Sequence, residues 1–321
     1  MNLKNASKKT LLWALISLVF CGCAQNKALR LGVLNGPSAI PCAYLMENSG
    51  NSGLENLVFE SCTSAQTELP KLLNGELDAG FLPPNLAAKV FNTAGGALVC
   101  LGICGNGNLY LLSKDSTAQD FSLEQLRGKT VQCAGQGATP EYLFNYLLQK
   151  AELKDSVTAD FSIPNANIAA ALISGKVQYA LVPEPFATVA QMKDSSVNRV
   201  LNLQEEYKKL TGRDYPMTVL VANASFAKKN KKLLKQFTEF YAKANQWTIA
   251  NPKAAGVLTE KANLGLKATV AEKAITNANF VWQTASEGRE QIESILSVFL
   301  AGDPKSIGGK LPGDDFYFSV K

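Results

Sequence analysis

The residues best suited to bind a small molecule stand in turns that follow short apolar runs. Asn35-Gly-Pro-Ser38 follows the run Leu29–Leu34, and Gly135-Gln-Gly-Ala-Thr139 follows Thr130–Ala134. Asn, Gln, Ser and Thr side chains can hydrogen-bond to neutral or anionic groups. Gly135 and Gly137 would also let the backbone approach a ligand closely.

The position of these turns predicts a common site. If each apolar run is a strand of an open parallel sheet, its turn lies at the carboxyl edge, where such sheets bind ligands. Helix N-termini at that edge present unpaired N–H groups. Turn geometry alone is the alternative explanation for each Gly and Asn. The candidate ligand-binding residues are Asn35, Gly36, Pro37, Ser38, Pro84, Asn85, Asn106, Asn108, Gly135, Gln136, Gly137, Thr139, Glu184 and Tyr215.

The charged residues bear on what the ligand is. Glu184 could accept from an amine or amide of a ligand, or it could be a structural cap. Arg30 lies within a strand, and Arg127 and Arg213 are expected on the surface. A guanidinium at a strand end would suit nitrate or a sulfonate. No Arg lies clearly at a strand end, so the sequence favours a neutral polar heterocycle as the ligand. Aromatic residues that could stack on it are Tyr44, Tyr110, Phe186 and Tyr215.

Several enzyme classes are excluded by composition. The chain has no His, which rules out a Ser-His-Asp triad and a His-based zinc site. Gly135-x-Gly-x-x-Pro140 lacks the third Gly of a dinucleotide fingerprint, and no phosphate-binding P-loop sequence occurs. Asp78, Glu141 and Glu184 could do acid–base work, so an enzyme stays as an alternative. We expect no enzymatic activity, no cofactor and no metal.

The N-terminus predicts export. Three Lys and no acid precede the apolar run Leu11–Phe20, which has the length of a signal-peptide core. Removal of residues 1–22 takes three of the 32 basic residues and leaves 29 against 27 acidic ones. A nearly neutral mature chain gives no support for nucleic-acid binding.

Five cysteines remain in the mature chain beyond position 23. Cys100 and Cys104 would be roughly 13 Å apart along one strand, which is too far for a disulfide. Most of the five are expected to be small buried residues, although one disulfide pair stays open. They are Cys42, Cys62, Cys100, Cys104 and Cys133.

One stretch occurs twice. Leu72–Ala87 and Leu172–Ala187 both read as a helix end, a Gly stop, a buried strand, a Pro-bounded turn and a new helix. Strand-then-turn order also repeats upstream at nearly the same offset of 100 residues. The repeat predicts two similar α/β units with parallel sheets.

The remainder of the chain is expected to be less regular. Glu205–Asp214 is polar and is expected on the surface, and a strand enters at Tyr215. The last third is predicted to be helical. Ser122-Leu-Glu-Gln125 and Thr269-Val-Ala-Glu272 fit capping boxes. The tail Ser306–Tyr317 is expected to pack on the body.

These residues together resemble a known family. The order is an N-terminal segment similar to a bacterial lipoprotein signal, with Cys23 as the lipidated residue, then Leu72-Leu-Asn-Gly-Glu-Leu-Asp-Ala79, Leu126-Arg-Gly-Lys-Thr-Val131 and Val182-Pro-Glu-Pro185. It resembles the nitrate/taurine/sulfonate and thiamine-pyrimidine-precursor group of ABC-transporter solute-binding proteins.

The resemblance implies an α/β fold of two doubly wound lobes, the type II periplasmic-binding-protein fold, with two crossing segments. Lobe one would comprise residues 28–107 plus 217–321, and lobe two residues 108–216. The protein would be a monomer, anchored by lipid to a bacterial membrane at the periplasm or cell surface. It would capture a small molecule and pass it to a permease and an ATPase that are separate chains. A surface lipoprotein that binds a macromolecule is the alternative.

Overall fold

The computed structural model describes residues 28–320, except residues 52, 53, 55 and 116–120. The predicted signal peptide, residues 1–22, and the predicted lipidated Cys23 lie outside the described residues. In the part that is described, no helix combines the length and the apolar character needed to cross a membrane.

The first sheet has six strands in the order β11-β4-β10-β3-β1-β2. Strands β1 to β4 run parallel to one another, whereas β10 and β11 run antiparallel to them. The strands are β1 (Leu29–Leu34), β2 (Leu57–Cys62), β3 (Ala79–Leu82), β4 (Leu98–Asn106), β10 (Pro216–Asn223) and β11 (Phe280–Thr284).

The second sheet has five strands in the order β7-β6-β8-β5-β9. Only β5 runs against the others among these five. The strands are β5 (Leu109–Ser113), β6 (Thr130–Cys133), β7 (Thr158–Asp160), β8 (Tyr179–Pro183) and β9 (Asn198–Asn202).

Helices connect the parallel strands and cover the sheets. They are α1 (Ala39–Asn48), α2 (Ala65–Asn74), α3 (Pro84–Thr93), α4 (Thr139–Lys150), α5 (Asn165–Ile173), α6 (Phe186–Lys193), α7 (Leu203–Thr211), α8 (Ala224–Lys229), α9 (Lys231–Ala250), α10 (Pro252–Lys261), α11 (Ala268–Ile275) and α12 (Arg289–Gly302).

The predicted internal repeat is visible in the topology. The order β2-β1-β3-β10 in the first sheet corresponds to β7-β6-β8-β5 in the second. The fourth strand in these orders, β10 or β5, runs antiparallel to the other three. In each sheet it is the first strand after the chain has crossed from the other sheet. The two copies of the repeated stretch supply β3 with α3 and β8 with α6, which are equivalent positions in the two sheets.

Apolar residues that alternate along the central strands fill both faces of the first sheet. Phe81 and Leu82 are both fully buried, but they belong to different clusters, because successive strand side chains point to opposite faces. The Phe81 cluster lies under α1 and α9, with Tyr241 against the Phe81 ring at 5.6 Å. The Leu82 cluster continues into the second sheet and includes Phe144 of α4.

Two backbone crossings join the sheets, one between β4 and β5 and one between β9 and β10. The Gln204 carboxamide ties them together, since its Oε1 accepts from the Gly107 amide at 3.0 Å. The Gly107 amide also donates to the Tyr215 carbonyl at 2.9 Å. This arrangement leaves no room for a side chain at position 107, because a Cβ there would lie 2.1 Å from Cζ of Tyr215.

Three expectations for the chain after residue 200 were incomplete or wrong. The polar stretch at 205–214 contains most of helix α7, which buries Leu203, Gln204 and Tyr207. The last third is not purely helical, since β11 extends the first sheet. The capping box at Thr269 does not form, because α11 begins at Ala268 with Lys267 in the cap position.

The other local predictions agree with the structure. Ser122 and Gln125 form their capping box. The tail joins the first sheet through a bridge between Tyr317 and Cys100. All five described cysteines are buried and unpaired.

Candidate functional site

The carboxyl edges of the two sheets meet at the crossings. Strand β4 ends at Asn106 and β5 begins at Leu109, opposite Pro183 at the end of β8. The turns that follow β1, β3, β6 and β8 therefore lie at edges that adjoin one another. This is the position in which open parallel sheets bind ligands.

A small cavity lies at this junction, with a volume of about 10 Å³, which is room for roughly one water molecule. Small-molecule sites usually measure roughly 300–1,000 Å³, so the lobes must separate for a solute to enter. All ten described residues that line it are uncharged. They are Pro37, Ser38, Cys104, Gly105, Asn106, Asn108, Met217, Thr218, Ala278 and Phe280.

Two asparagines in the cavity wall bury a polar atom that has no partner. The Oδ1 atoms of Asn106 and Asn108 are inaccessible to solvent and accept no hydrogen bond from any described residue. Asn85, in the first turn of α3 after β3, buries its Oδ1 in the same way although it does not line the cavity. Buried polar groups are nearly always paired, so unpaired carboxamides beside a cavity indicate that a ligand or water completes them.

The turn after β1 contributes two of the four residues predicted there. Pro37 and Ser38 line the cavity. Asn35 is exposed, and its Oδ1 accepts from the Ser61 hydroxyl at 2.8 Å. Gly36 has φ +124°, a conformation that side chains rarely adopt, so its role in forming the turn is clear.

The backbone amides of the turn after β6 already donate hydrogen bonds to other groups of the protein. The Gly135 amide donates to Asn165 Oδ1 at 3.3 Å, and the Gly137 amide donates to the Glu141 carboxylate at 2.6 Å. Gln136 is exposed and Thr139 is buried in the first turn of α4. None of these four predicted residues, nor Pro84, lines the cavity.

Glu184 is bound within the protein. Its buried carboxylate accepts from the Arg199 guanidinium and from the Thr188 amide. Burial raises the pKa of the Glu184 carboxyl, while the Arg199 charge opposes that rise. The Glu184 amide donates to the Asn108 carbonyl at 2.9 Å, which fixes the backbone of the first crossing.

Arg199 was missed by the sequence reasoning. Its guanidinium lies 4.9 Å from the centre of the Tyr110 ring, and it also donates to Thr188 Oγ1 at 2.9 Å. The Tyr110 hydroxyl in turn donates to the Asn277 carbonyl of the first lobe at 2.9 Å. Burial raises the pKa of Tyr110 to about 12, so this hydroxyl keeps its proton at neutral pH.

Two aromatic residues expected at the ligand lie elsewhere. Tyr215 is fully buried in the second crossing, where its ring meets Tyr207 edge to face at 5.4 Å. Tyr44 packs on Trp247 at 4.6 Å on the helical face of the first lobe. The aromatic side chain that does line the cavity is Phe280, in a strand that the sequence reasoning did not predict.

Other lining residues were also missed. Met217 and Thr218 lie on β10, just after Tyr215. Ala278 belongs to the loop before β11, next to Asn279, which has φ +49°. The sequence did contain one indication of this part of the cavity wall, which is the polar residue Thr218 inside a predicted strand.

The metal-ligating residue types are dispersed. Within the described ranges, no group of three or more His, Cys, Asp and Glu side chains stands close enough to hold a metal ion.

Comparison with known proteins identifies relatives of this chain. YtlA of Bacillus subtilis, named as a binding protein, is 30% identical over 140 residues. The match covers 43% of this chain and 40% of that relative's length.

Solved structures match over most of the chain. An ABC transporter structure from Parabacteroides distasonis has a TM-score of 0.77 and 23% identity, and the match covers 92% of this chain and 99% of that one. The periplasmic aliphatic sulphonate-binding protein SsuA of Escherichia coli has a TM-score of 0.72 and 17% identity, covering 91% and 92%. The periplasmic nitrate-binding protein NrtA of Synechocystis has a TM-score of 0.61 and 16% identity, covering 90% and 87%.

These structures confirm the predicted two-lobe α/β fold of the type II periplasmic-binding proteins. The resemblance to ABC-transporter solute-binding proteins is likewise confirmed at the level of family and fold. The model of the NMT1-like family matches residues 24–261, about three quarters of the sequence, and the chain therefore belongs to the NMT1-like family.

Proposed function

We propose that this protein is the extracytoplasmic solute-binding subunit of an ABC importer. It captures a small polar molecule between its two lobes and delivers it, chemically unchanged, to a membrane permease. The permease and the ATPase are separate chains, and the binding protein acts as a monomer anchored through lipid on Cys23.

The observation that carries this proposal is the pair of unpartnered carboxamide oxygens in the cavity wall. Asn106 and Asn108 bury these atoms at the meeting point of the two sheets. An unpaired buried polar group costs about 1–3 kcal/mol. A ligand that donates hydrogen bonds to both atoms would recover much of that cost and would favour the closed arrangement of the lobes.

The charges around the cavity favour an uncharged ligand. The cavity wall carries no charged residue in the described part of the chain. The guanidinium of Arg199, which packs on Tyr110 just beyond the first crossing, is already engaged by Glu184, Thr188 and the Tyr110 ring. A nitrate or sulfonate would therefore lack a free cation, whereas a neutral polar heterocycle needs none and could pack on Phe280.

Lipid anchoring is supported by the sequence. Three Lys, an apolar run of signal-core length and Gly22-Cys23 occur in that order. A lipid on Cys23 would leave residues 24–28 as a short tether to β1.

The test is a thermal-shift panel on residues 24–321, unfolded and refolded beforehand to remove any bound solute. The panel contains pyrimidines and other neutral heterocycles, sulfonates, nitrate, amino acids and polyamines. A ligand at 100 times its dissociation constant should add about 2.7 kcal/mol to the free energy of unfolding. A neutral heterocycle that stabilises the protein would support the proposal. A sulfonate or nitrate hit would refute the neutral ligand, and a folded protein that responds to nothing would count against solute binding.

A further inference from the structure

Four exposed lysines form a cluster at one end of the first lobe. They belong to the end of α8 and the first turn of α9, and no described acidic side chain makes an ion pair with them. We name this group the basal lysine cluster: Lys228, Lys229, Lys231 and Lys232.

The course of β10 fixes where the cluster lies. β10 runs antiparallel to β3 and β4, so it ends at the amino edge of the first sheet, away from the cavity. At that end the Asn223 amide donates to the Asp78 carbonyl and the Ala224 amide donates to the Ala97 carbonyl, each at 2.9 Å. Helix α8 starts there, which places the cluster on the side of the sheet opposite to the ligand site.

The described chain also enters at this edge. β1 begins at Leu29, and the Asp78 amide donates to the Arg30 carbonyl at 2.9 Å. Only β3 separates β1 from β10, so the two strands are about 10 Å apart. Cys23 precedes Leu29 by six residues, a length that spans at most about 20 Å when extended. A lipid on Cys23 would therefore hold the basal lysine cluster close to the membrane surface.

The neighbouring charges do not cancel the cluster. Arg30 and Asp78 neutralise each other through a two-pronged ion pair. Glu76 stands in the turn before β3. Asp314 and Asp315 lie in the groove that Lys228, Lys231 and Lys310 help to line, and Asp314 is already paired with Arg289. The two remaining acids beside the four lysines of the cluster leave this end of the molecule positive.

We propose that the basal lysine cluster binds the headgroups of anionic lipids in the membrane that carries the anchor. This inference rests on the proposed lipidation of Cys23, and it adds a second, electrostatic contact to the lipid chain. A basic patch is a common second membrane signal beside a lipid anchor. Because the cluster and the cavity lie at opposite edges of the sheet, this contact keeps the cavity clear of the bilayer.

The experiment measures vesicle binding by residues 24–321, which carry no lipid. Every described strand, helix and contact lies within residues 28–320, so this form retains the whole fold. Co-sedimentation is measured with vesicles of phosphatidylcholine alone and with vesicles that also contain phosphatidylglycerol. We expect binding to the anionic vesicles only, and a decrease with added salt, since charge contacts at a surface are screened.

Two variants with the same loss of charge locate the contact. In one, Lys228, Lys229, Lys231 and Lys232 are all changed to Gln. In the matched control, four exposed lysines of the second lobe are changed to Gln: Lys129, Lys154, Lys176 and Lys193. Each lysine at the surface is worth about fivefold in partitioning, so the first variant should bind at least about 100-fold more weakly while the control binds like the wild type. Thermal unfolding verifies that both remain folded.

Three outcomes would overturn the inference: no binding of the unlipidated wild type to anionic vesicles, binding that is indifferent to salt, or equal losses in the two variants. Lipidation is checked separately, by incorporation of labelled palmitate into the full chain with and without Cys23→Ala. A chain that takes up no lipid but passes the vesicle test would refute the anchor and leave the lysine contact standing. Solute binding is measured independently by the thermal-shift panel.

Discussion

At the scale of single residues, Asn106 and Asn108 stand in the cavity wall with buried side-chain oxygens that accept no hydrogen bond from any described residue. We expect Asn106→Ala and Asn108→Ala each to weaken solute binding about 5- to 150-fold, since a lost hydrogen bond to a buried group costs about 1–3 kcal/mol. The free energy of unfolding without solute should change little, because no hydrogen bond to these oxygens is lost. Isothermal titration and thermal unfolding measure the two quantities. Asn74→Ala, an exposed residue at the opposite edge, is the control. Unchanged affinity in both cavity variants would contradict the proposed site.

Glu68 gives a second prediction at this scale. Its carboxylate is fully buried between β1 and β3, where Oε1 accepts from the Phe81 amide at 3.0 Å and Oε2 has no described partner. Gly32 and Gly80 make room for it, since a Cβ at either would lie within 2.4 Å of Oε1. Burial raises the pKa of Glu68 from 4.5 to about 7.

The folded protein therefore holds this proton at pH values where the unfolded chain has released it. The contribution of Glu68 to stability is fully present below pH 4.5 and is lost as the pH rises through 7. The loss amounts to about 3 kcal/mol at 1.36 kcal/mol per unit. Glu68→Gln should remove this part of the pH dependence and unfold at a higher temperature than the wild type at pH 8. Glu76→Gln removes an exposed carboxylate and should leave this part of the pH dependence in place. If the stability of the wild type and of Glu68→Gln varied with pH in the same way, the pH dependence could not be assigned to Glu68.

At the scale of elements, the two crossings depend on a close backbone approach at Gly107. A Cβ at this position would lie 2.1 Å from the buried Tyr215 ring and 2.4 Å from Gln204 Oε1. We expect Gly107→Ala to lower the free energy of unfolding by about 3 kcal/mol, the upper range for overpacking. In Gly105→Ala, on the same segment, the nearest atom would be 3.9 Å away, and the loss should be far smaller. Denaturant unfolding measures the free energy of unfolding of both variants. Equal losses in the two would mean that the crossing accommodates a side chain at position 107.

The regular elements could be predicted because their patterns are local. Alternating βα units and the offset of 100 residues were sufficient for most strands of both sheets. Helix α7 was missed because it buries only Leu203, Gln204 and Tyr207, so its apolar face is narrow. Strand β11 was missed because it is five residues long among helices and depends on pairing with β4.

The candidate site could be located but not assembled from the sequence. Parallel strands bring their turns to one edge, which is why four of the predicted residues, Pro37, Ser38, Asn106 and Asn108, line the same cavity. Which turns then reach a common cavity depends on the angle between the lobes, and no local pattern contains that angle. The walls from β10 and from the loop before β11 come from residues more than 100 positions away from the first crossing. The pairing of Arg199 with Glu184 also depends on β8 and β9 being held in register by β5, which lies between them.

At the scale of the whole molecule, the two lobes touch on both sides of the crossings. On one side, Tyr142 of α4 meets Phe299 of α12 edge to face at 5.1 Å, and its hydroxyl donates to Asp303 at 3.2 Å. On the other side, near the cavity, the Tyr110 hydroxyl donates to the Asn277 carbonyl. These contacts describe a closed arrangement of the lobes. If the lobes close when a solute binds, the free energy of forming these contacts is part of the free energy of solute binding.

The Tyr110 hydroxyl therefore offers a test of lobe closure. Tyr110→Phe keeps the ring beneath Arg199 and removes one hydrogen bond between the lobes, worth about 1 kcal/mol. If that bond forms as the lobes close on the solute, the variant should bind about fivefold more weakly, mainly through faster dissociation. Titration calorimetry and stopped-flow release measure affinity and rate. Tyr146→Phe is the control, because the Tyr146 ring packs on Tyr207 at 6.1 Å and its hydroxyl makes no described bond between the lobes. An unchanged release rate in Tyr110→Phe would mean that the lobes already make this contact before the solute arrives, or that closure does not retain the solute.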